Sequence, residues 1–121
     1  MNVDETIGGE IFRQNIFDIA VSEVAWRLIK RGDLVVDVGA NIGYMTRLFA
    51  AKVGVQGQVV SFEPHPVIFA RLQRNLSLAG SVASSVVLHN CALGAREGTA
   101  RLLEPAAFGS NQGTATLVAT H

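Results

Sequence analysis

Cysteine is nearly missing from this chain of 121 residues: Cys91 stands alone, so no intrachain disulfide can form and nothing asks for an oxidising compartment. An excess of either charge is missing too, with ten Lys and Arg against ten Asp and Glu. That balance excludes the basic footprint that grips a phosphate backbone, and nucleic acid is not expected as a partner. Long hydrophobic runs are also absent. The longest charge-free stretch, Asn75 to Ala95, is interrupted by Asn75, Ser77, Gly80, further serines and His89, so no membrane span is expected. Asn2, Asp4 and Glu5 stand where a signal peptide would carry a basic region and an apolar one. A soluble, cytoplasmic protein is the reading.

What is present suits one folded unit spanning 1–121. Hydrophobic residues make up 49% of the chain, which excludes the composition of disorder. The length matches about one domain, able to bury roughly two-thirds of its unfolded surface. No repeat or linker divides it. An N-terminal helix is expected at about 11–30, where Phe17, Ala20, Val21, Val24 and Leu28 follow a helical period, with Arg27 and Lys30 near its end and Gly32 as the stop. Leu34 to Val38 reads as a strand buried on both faces. A helix follows from Tyr44 to Lys52 with Met45, Leu48 and Phe49 on its inner side. Gln58 to Phe62 is the second strand. The next helix, with prolines in its first turn, turns Phe69, Leu72 and Leu76 inward and Arg71 and Arg74 outward, ending near Gly80. Val86 to His89 is the third strand. Gly98 to Leu103 and Gly113 to Val118 read as a hairpin around a loop with Pro105, Gly109 and Asn111. Strand and helix alternating at this spacing predict an α/β fold with a parallel sheet and flanking helices.

In an open α/β sheet the ligand site lies at the carboxyl ends of the strands. The first strand ends here in Asp37-Val38-Gly39-Ala40-Asn41-Ile42-Gly43, and twenty residues after Gly43 the second ends in Glu63. Gly39 and Gly43 permit a tight turn and close approach of a ligand to the backbone. Glu63 is placed to accept hydrogen bonds from ribose hydroxyls. A dinucleotide turn needs a second glycine where Ala40 and Asn41 stand, and a phosphate loop needs a lysine that is lacking between Lys30 and Lys52. A carboxylate at position 37 repels phosphate and suits a ligand carrying an ammonium and a sulfonium. The electrostatics favour S-adenosylmethionine.

These residues resemble a known family. Val35 to Tyr44, followed by Phe62-Glu63-Pro64-His65-Pro66, is similar to the FkbM-type S-adenosylmethionine-dependent methyltransferases. Asn90-Cys91-Ala92-Leu93-Gly94 and Glu97-Gly98-Thr99-Ala100 sit where the third strand and the following hairpin of that family fall, and Ser110-Asn111 before Gly113-Thr114 is a weaker likeness. The resemblance runs from about Phe17 to Leu117. It implies a Rossmann-like class I methyltransferase fold, here reaching only the third strand and a hairpin, and O-methylation of a hydroxyl on a small molecule or sugar. It implies that Asp37, Gly39, Ala40, Asn41, Gly43 and Tyr44 line the cofactor, that Glu63 holds its ribose, and that Asn90 and Cys91 lie beside the adenine. The family continues into further strands that have no counterpart before His121. A fragment of a longer protein is therefore expected, with an exposed sheet edge that invites self-association.

The remaining residues carry quieter readings. Cys91 can be a small buried hydrophobe and Asn41 an N-cap. His65, between two prolines, reads as an exposed first-turn residue, and His89 as a hydrogen-bonded core histidine. Trp26 reads as a core or interface residue. No spacing of His, Cys and carboxylates suggests a metal. The expected reaction is attack of a substrate hydroxyl on the sulfonium methyl, with no general base assigned. A non-catalytic remnant keeping the fold, or a nicotinamide-binding oxidoreductase domain, are the competing readings.

Overall fold

A computed structural model describes residues 18–104 and 116–119. Phe17 with the preceding part of the expected N-terminal helix, and the loop holding Pro105, Gly109, Ser110 and Asn111, lie outside them. The chain forms two compact parts. Residues 18–93 carry the parallel sheet, while the described residues after Leu93 form a hairpin.

In the first part, helix α1 (Ile19–Leu28) precedes strand β1 (Leu34–Val38), helix α2 (Tyr44–Val53), strand β2 (Gln58–Phe62), helix α3 (Pro66–Ser77), a 3₁₀ turn (Gly80–Ser85) and strand β3 (Val86–His89). The strands are parallel in the order β1-β2-β3, with Leu34 opposite Gln58, and Val59 opposite Val86. The second part is an antiparallel pair, β4 (Ala100–Leu103) with β5 (Thr116–Ala119). The β-branched runs that announced β1, β2 and β3 form strands at the expected limits.

One face of the sheet is packed. Ala50 and Val53 of α2 close on Val59, joined at the margin by Val35, Val82 and Val86. Leu72 and Leu76 of α3 close on Ala40, with Phe69 and Leu88 alongside. The opposite face of β1 is bare: Leu34, Val36 and Val38 are 66%, 53% and 63% exposed. This corrects the reading of β1 as covered on both sides. A run of right-handed crossovers that winds one way across a sheet puts all its helices on the same face, and β1-β2-β3 winds only one way.

The helices also differ from their expected faces. In α2 the buried residues are Thr46, Ala50 and Val53, while Met45, Leu48 and Phe49 are only half-buried. Small side chains let the helix lie close to the sheet, and the large ones flank the contact. In α3, Ile68 is buried beside the expected Leu72 and Leu76, while Arg74 is exposed and Arg71 half-buried. Helix α1 starts at Ile19, capped by Asp18, whose carboxylate accepts the Val21 N–H at 3.1 Å. Its apolar residues Ala20, Val21, Val24 and Leu28 are exposed, and Ser22 is its buried residue. The helix lies against α2 through Ser22, whose hydroxyl donates to the Tyr44 hydroxyl at 3.3 Å, and through Trp26, not a core residue but a half-exposed ring 4.6 Å from the Lys52 ammonium. No helix among the described residues is long and apolar enough to cross a membrane.

Candidate functional site

The site lies where β1 and β2 end side by side, and two turns build it. The first runs from Gly39 to Gly43, and its backbone is wound tightly. Gly39 has φ +79°, Asn41 +51° and Gly43 +94°, all in the left-handed region that a side chain resists. Asn41 is tolerated there because its short amide bonds locally: its Oδ1 accepts the Ile42 N–H at 2.8 Å. It is therefore not the helix cap. Gly43 occupies the N-cap of α2 without a side-chain bond. A Cβ on Gly43 would stand 2.5 Å from Leu72 Cδ1, so any side chain there would have to displace the Leu72 tip as well as adopt a left-handed backbone. A Cβ on Gly39 would meet no atom within 4 Å. Open space lies beside that backbone, as a ligand approaching it requires.

Every N–H of this turn is already used. Gly39 and Ala40 both donate to the Phe62 carbonyl at 2.9 Å, Gly43 to the Ala40 carbonyl at 3.0 Å, Ile42 to Asn41 Oδ1, and Asn41 to Glu63 Oε2 at 2.9 Å. A loop that cradles phosphate must point such groups at its ligand. This one points them into the protein. Ala40 itself packs its methyl among Leu72 and Leu76.

The second turn, Glu63 to His65, is fastened to the first by the Glu63 carboxylate. That carboxylate is 6% exposed; one oxygen takes the Asn41 N–H and the other takes the His65 N–H at 2.9 Å. Each oxygen keeps a second lone pair able to accept from a hydroxyl. Asn90, after β3, donates its amide to the carbonyls of Glu63 at 2.8 Å and Pro64 at 3.2 Å, so it braces the turn from the other side. Asn90 and Cys91 are both exposed, which corrects the reading of Cys91 as a buried hydrophobe. His65 is not an exposed first-turn residue either. It is 2% exposed and caps α3, its Nδ1 accepting the Val67 N–H at 3.2 Å, a role that draws the ring under the turn. His89 is exposed rather than buried, and its ring stacks on Phe62 with centroids 5.0 Å apart. Both rings belong to the bare face of the sheet.

Asp37, two residues before the glycine turn, is 9% exposed. Burial pushes its carboxyl above the ordinary range, and a hydrogen bond from Thr46 draws it partly back. The Thr46 hydroxyl lies 2.5 Å from Asp37 Oδ2 and 3.1 Å from the Ser61 hydroxyl. Asn75 of α3 donates its amide to the Ile42 carbonyl at 2.8 Å. Thr46, Ser61 and Asn75 were not anticipated, though a signal existed. Each is a polar residue at a position whose helical or strand period points inward. Tyr44 is half-buried, its hydroxyl accepting from Ser22. Among the described residues no three His, Cys, Asp or Glu come together as a metal site would need.

The arrangement offers two carboxylates at successive strand ends, open space beside Gly39 and no N–H of the Gly39–Gly43 turn left for phosphate. Its chemistry fits a ligand that is cationic at one end and carries hydroxyls at the other. A family model described as "Methyltransferase FkbM domain" matches residues 37–121. "Methyltransferase 1" of Beauveria bassiana is 33% identical over 81% of this chain and 35% of its own length, and "Methyltransferase sdnD" of Sordaria araneosa is 34% identical over 77% and 32%. This chain thus spans about a third of the length of the curated relatives it matches. The solved SAM-dependent O-methyltransferase of Thermotoga maritima is similar with a TM-score of 0.55 and 27% identity, over 69% of this chain and 33% of that one.

Proposed function

We propose a function from one premise: this chain belongs to the methyltransferase FkbM domain family. Its fold is the Rossmann-like class I methyltransferase fold, and its cofactor is S-adenosylmethionine. The further reading is that the whole protein methylates a hydroxyl oxygen on a small molecule or sugar. The name of the Thermotoga relative supports oxygen as the acceptor atom. The balanced charge supports a small acceptor over nucleic acid, and the single cysteine fits a cytoplasmic setting.

One observation carries the cofactor reading on which this rests: the first turn spends all its N–H groups internally while carboxylates end both adjoining strands. Gly39, Asn41 and Gly43 would shape the floor under the cofactor, with Ala40 and Tyr44 contributing backbone and ring at its edge. Asp37 would supply the counter-charge for its cationic end. Glu63 would offer its remaining lone pairs to the ribose, and Asn90 and Cys91 would border the adenine. When bound, S-adenosylmethionine supplies an activated methyl group on a sulfonium. Because that donor is already reactive, the contribution of these residues is to hold and orient, which in well-aligned reactions is worth about 7–11 kcal/mol.

Calorimetric titration of the chain with S-adenosylhomocysteine, and with NAD beside it, tests the site. Saturable binding of S-adenosylhomocysteine alone is expected. Binding of NAD in its place would revive the oxidoreductase reading, and a folded sample binding neither would favour a remnant. Self-association is proposed as well, because β1 turns three apolar side chains to solvent and both outer strands leave an edge. Light scattering should give a mass above the monomer; a clean monomer at high concentration would refute it.

A further inference from the structure

We propose that Thr46 and Ser61 are positioning residues, acting through Asp37, for the amino-acid end of the cofactor; the proposal rests on the S-adenosylmethionine reading above. Proton counting gives their connection a direction. An ionised carboxylate carries no hydrogen, so across the 2.5 Å contact Thr46 must donate to Asp37. A hydroxyl has one hydrogen. With it spent, Thr46 Oγ1 can only accept from the Ser61 hydroxyl at 3.1 Å. Both groups are completely buried, so water cannot rearrange the chain of donors. Ser61 on β2, Thr46 on α2 and Asp37 on β1 therefore form an aligned series whose two dipoles both favour negative charge at its end.

Folding alone does not call for this series. Replacing all members of a buried hydrogen-bonded group by apolar residues of similar shape is often neutral or stabilising. Burial moreover opposes the charge on Asp37, and the Thr46 hydroxyl is what counters it. Three polar residues kept inside the packed face, directly below the glycine turn, make sense if the charge is wanted there. The part of the cofactor that a fixed carboxylate recognises is the part bearing an ammonium. The adenosine part has no such need.

Two ligands separate these parts: S-adenosylhomocysteine has the amino-acid end and 5′-methylthioadenosine lacks it. Titrated into the 121-residue chain, Thr46→Val should weaken S-adenosylhomocysteine about tenfold, the scale of one hydrogen bond to a charged group, and leave methylthioadenosine unchanged. Thr46→Ser, which restores the hydroxyl, should restore the affinity. Ser61→Ala should show the same selectivity at about threefold, since it removes the more distant of the two dipoles. Should Thr46→Val fail to fold by circular dichroism, Ser61→Ala decides by the same ratio. Equal weakening of both ligands would reduce the pair to a structural role, and unchanged S-adenosylhomocysteine binding in the variants would remove it altogether. Either result overturns this inference while leaving the cofactor reading intact. A wild-type chain that binds neither ligand overturns both.

Discussion

Two carboxylates end adjacent strands, almost equally buried, yet they are held in opposite ways. Glu63 is gripped by backbone: two N–H groups, from Asn41 and His65, point at its two oxygens. Asp37 is gripped by a side chain, the hydroxyl of Thr46. Backbone dipoles in a folded turn cannot rotate away, so the Glu63 site is built into the course of the chain. The Thr46 hydroxyl belongs to a side chain, so an apolar residue of similar size could take its place without altering the course of the backbone. Glu63 thus belongs to the architecture of the two turns, whereas Asp37 is a charge the architecture merely tolerates.

Substitutions should expose that asymmetry. The largest effect is expected from Glu63→Ala, which orphans two N–H groups in the interior and should cost about 3 kcal/mol of stability, with a further about 1–3 kcal/mol lost from cofactor binding. Glu63→Gln keeps one acceptor oxygen and turns an amide against the other N–H, so about half the stability loss should remain. Urea unfolding of the three chains checks the series, and a Glu63→Ala chain as stable as wild type would dissolve the distinction. Asp37→Asn should act in the opposite sense and by less. The Asp37 carboxyl titrates higher in the folded chain than the ordinary 3.8. Its contribution to stability is therefore complete below that value and is lost as the pH rises through the folded one. At neutral pH the neutral isostere should raise the melting temperature, and the gain should vanish below pH 3.8. A lower melting temperature at neutral pH would mean the hydroxyls more than repay the burial of the charge.

Much of this was legible in the residues themselves. The strands β1, β2 and β3 were readable because β-branched runs between glycine turns have few other uses, and Asp37, the glycine turn and Glu63 because their spacing across a strand–helix–strand unit is so confined. Burial was less readable, for a physical reason: hydropathy says which residues avoid water, not which face has a neighbour. The apolar stripe of α1 and Leu34, Val36 and Val38 of β1 lie exposed, while Ser22, Thr46 and Ser61 are inside. His65 misled because flanking prolines suggest a surface turn, whereas a capping ring must fold beneath the helix it starts. His89 misled because its strand has only one covered face.

The bond from Asn41 to Glu63 also has a kinetic meaning. It joins residues 22 apart, and the sequence between them is one helix and one strand already paired to β1. Closing so short a loop costs little chain entropy, so strand, helix and strand can assemble as one cooperative unit ahead of the rest. In hydrogen exchange, the Asn41 amide, although it belongs to a turn, should be retained as long as the amides at the centre of β2. The floor of the cofactor site would then be among the last places in the molecule to open.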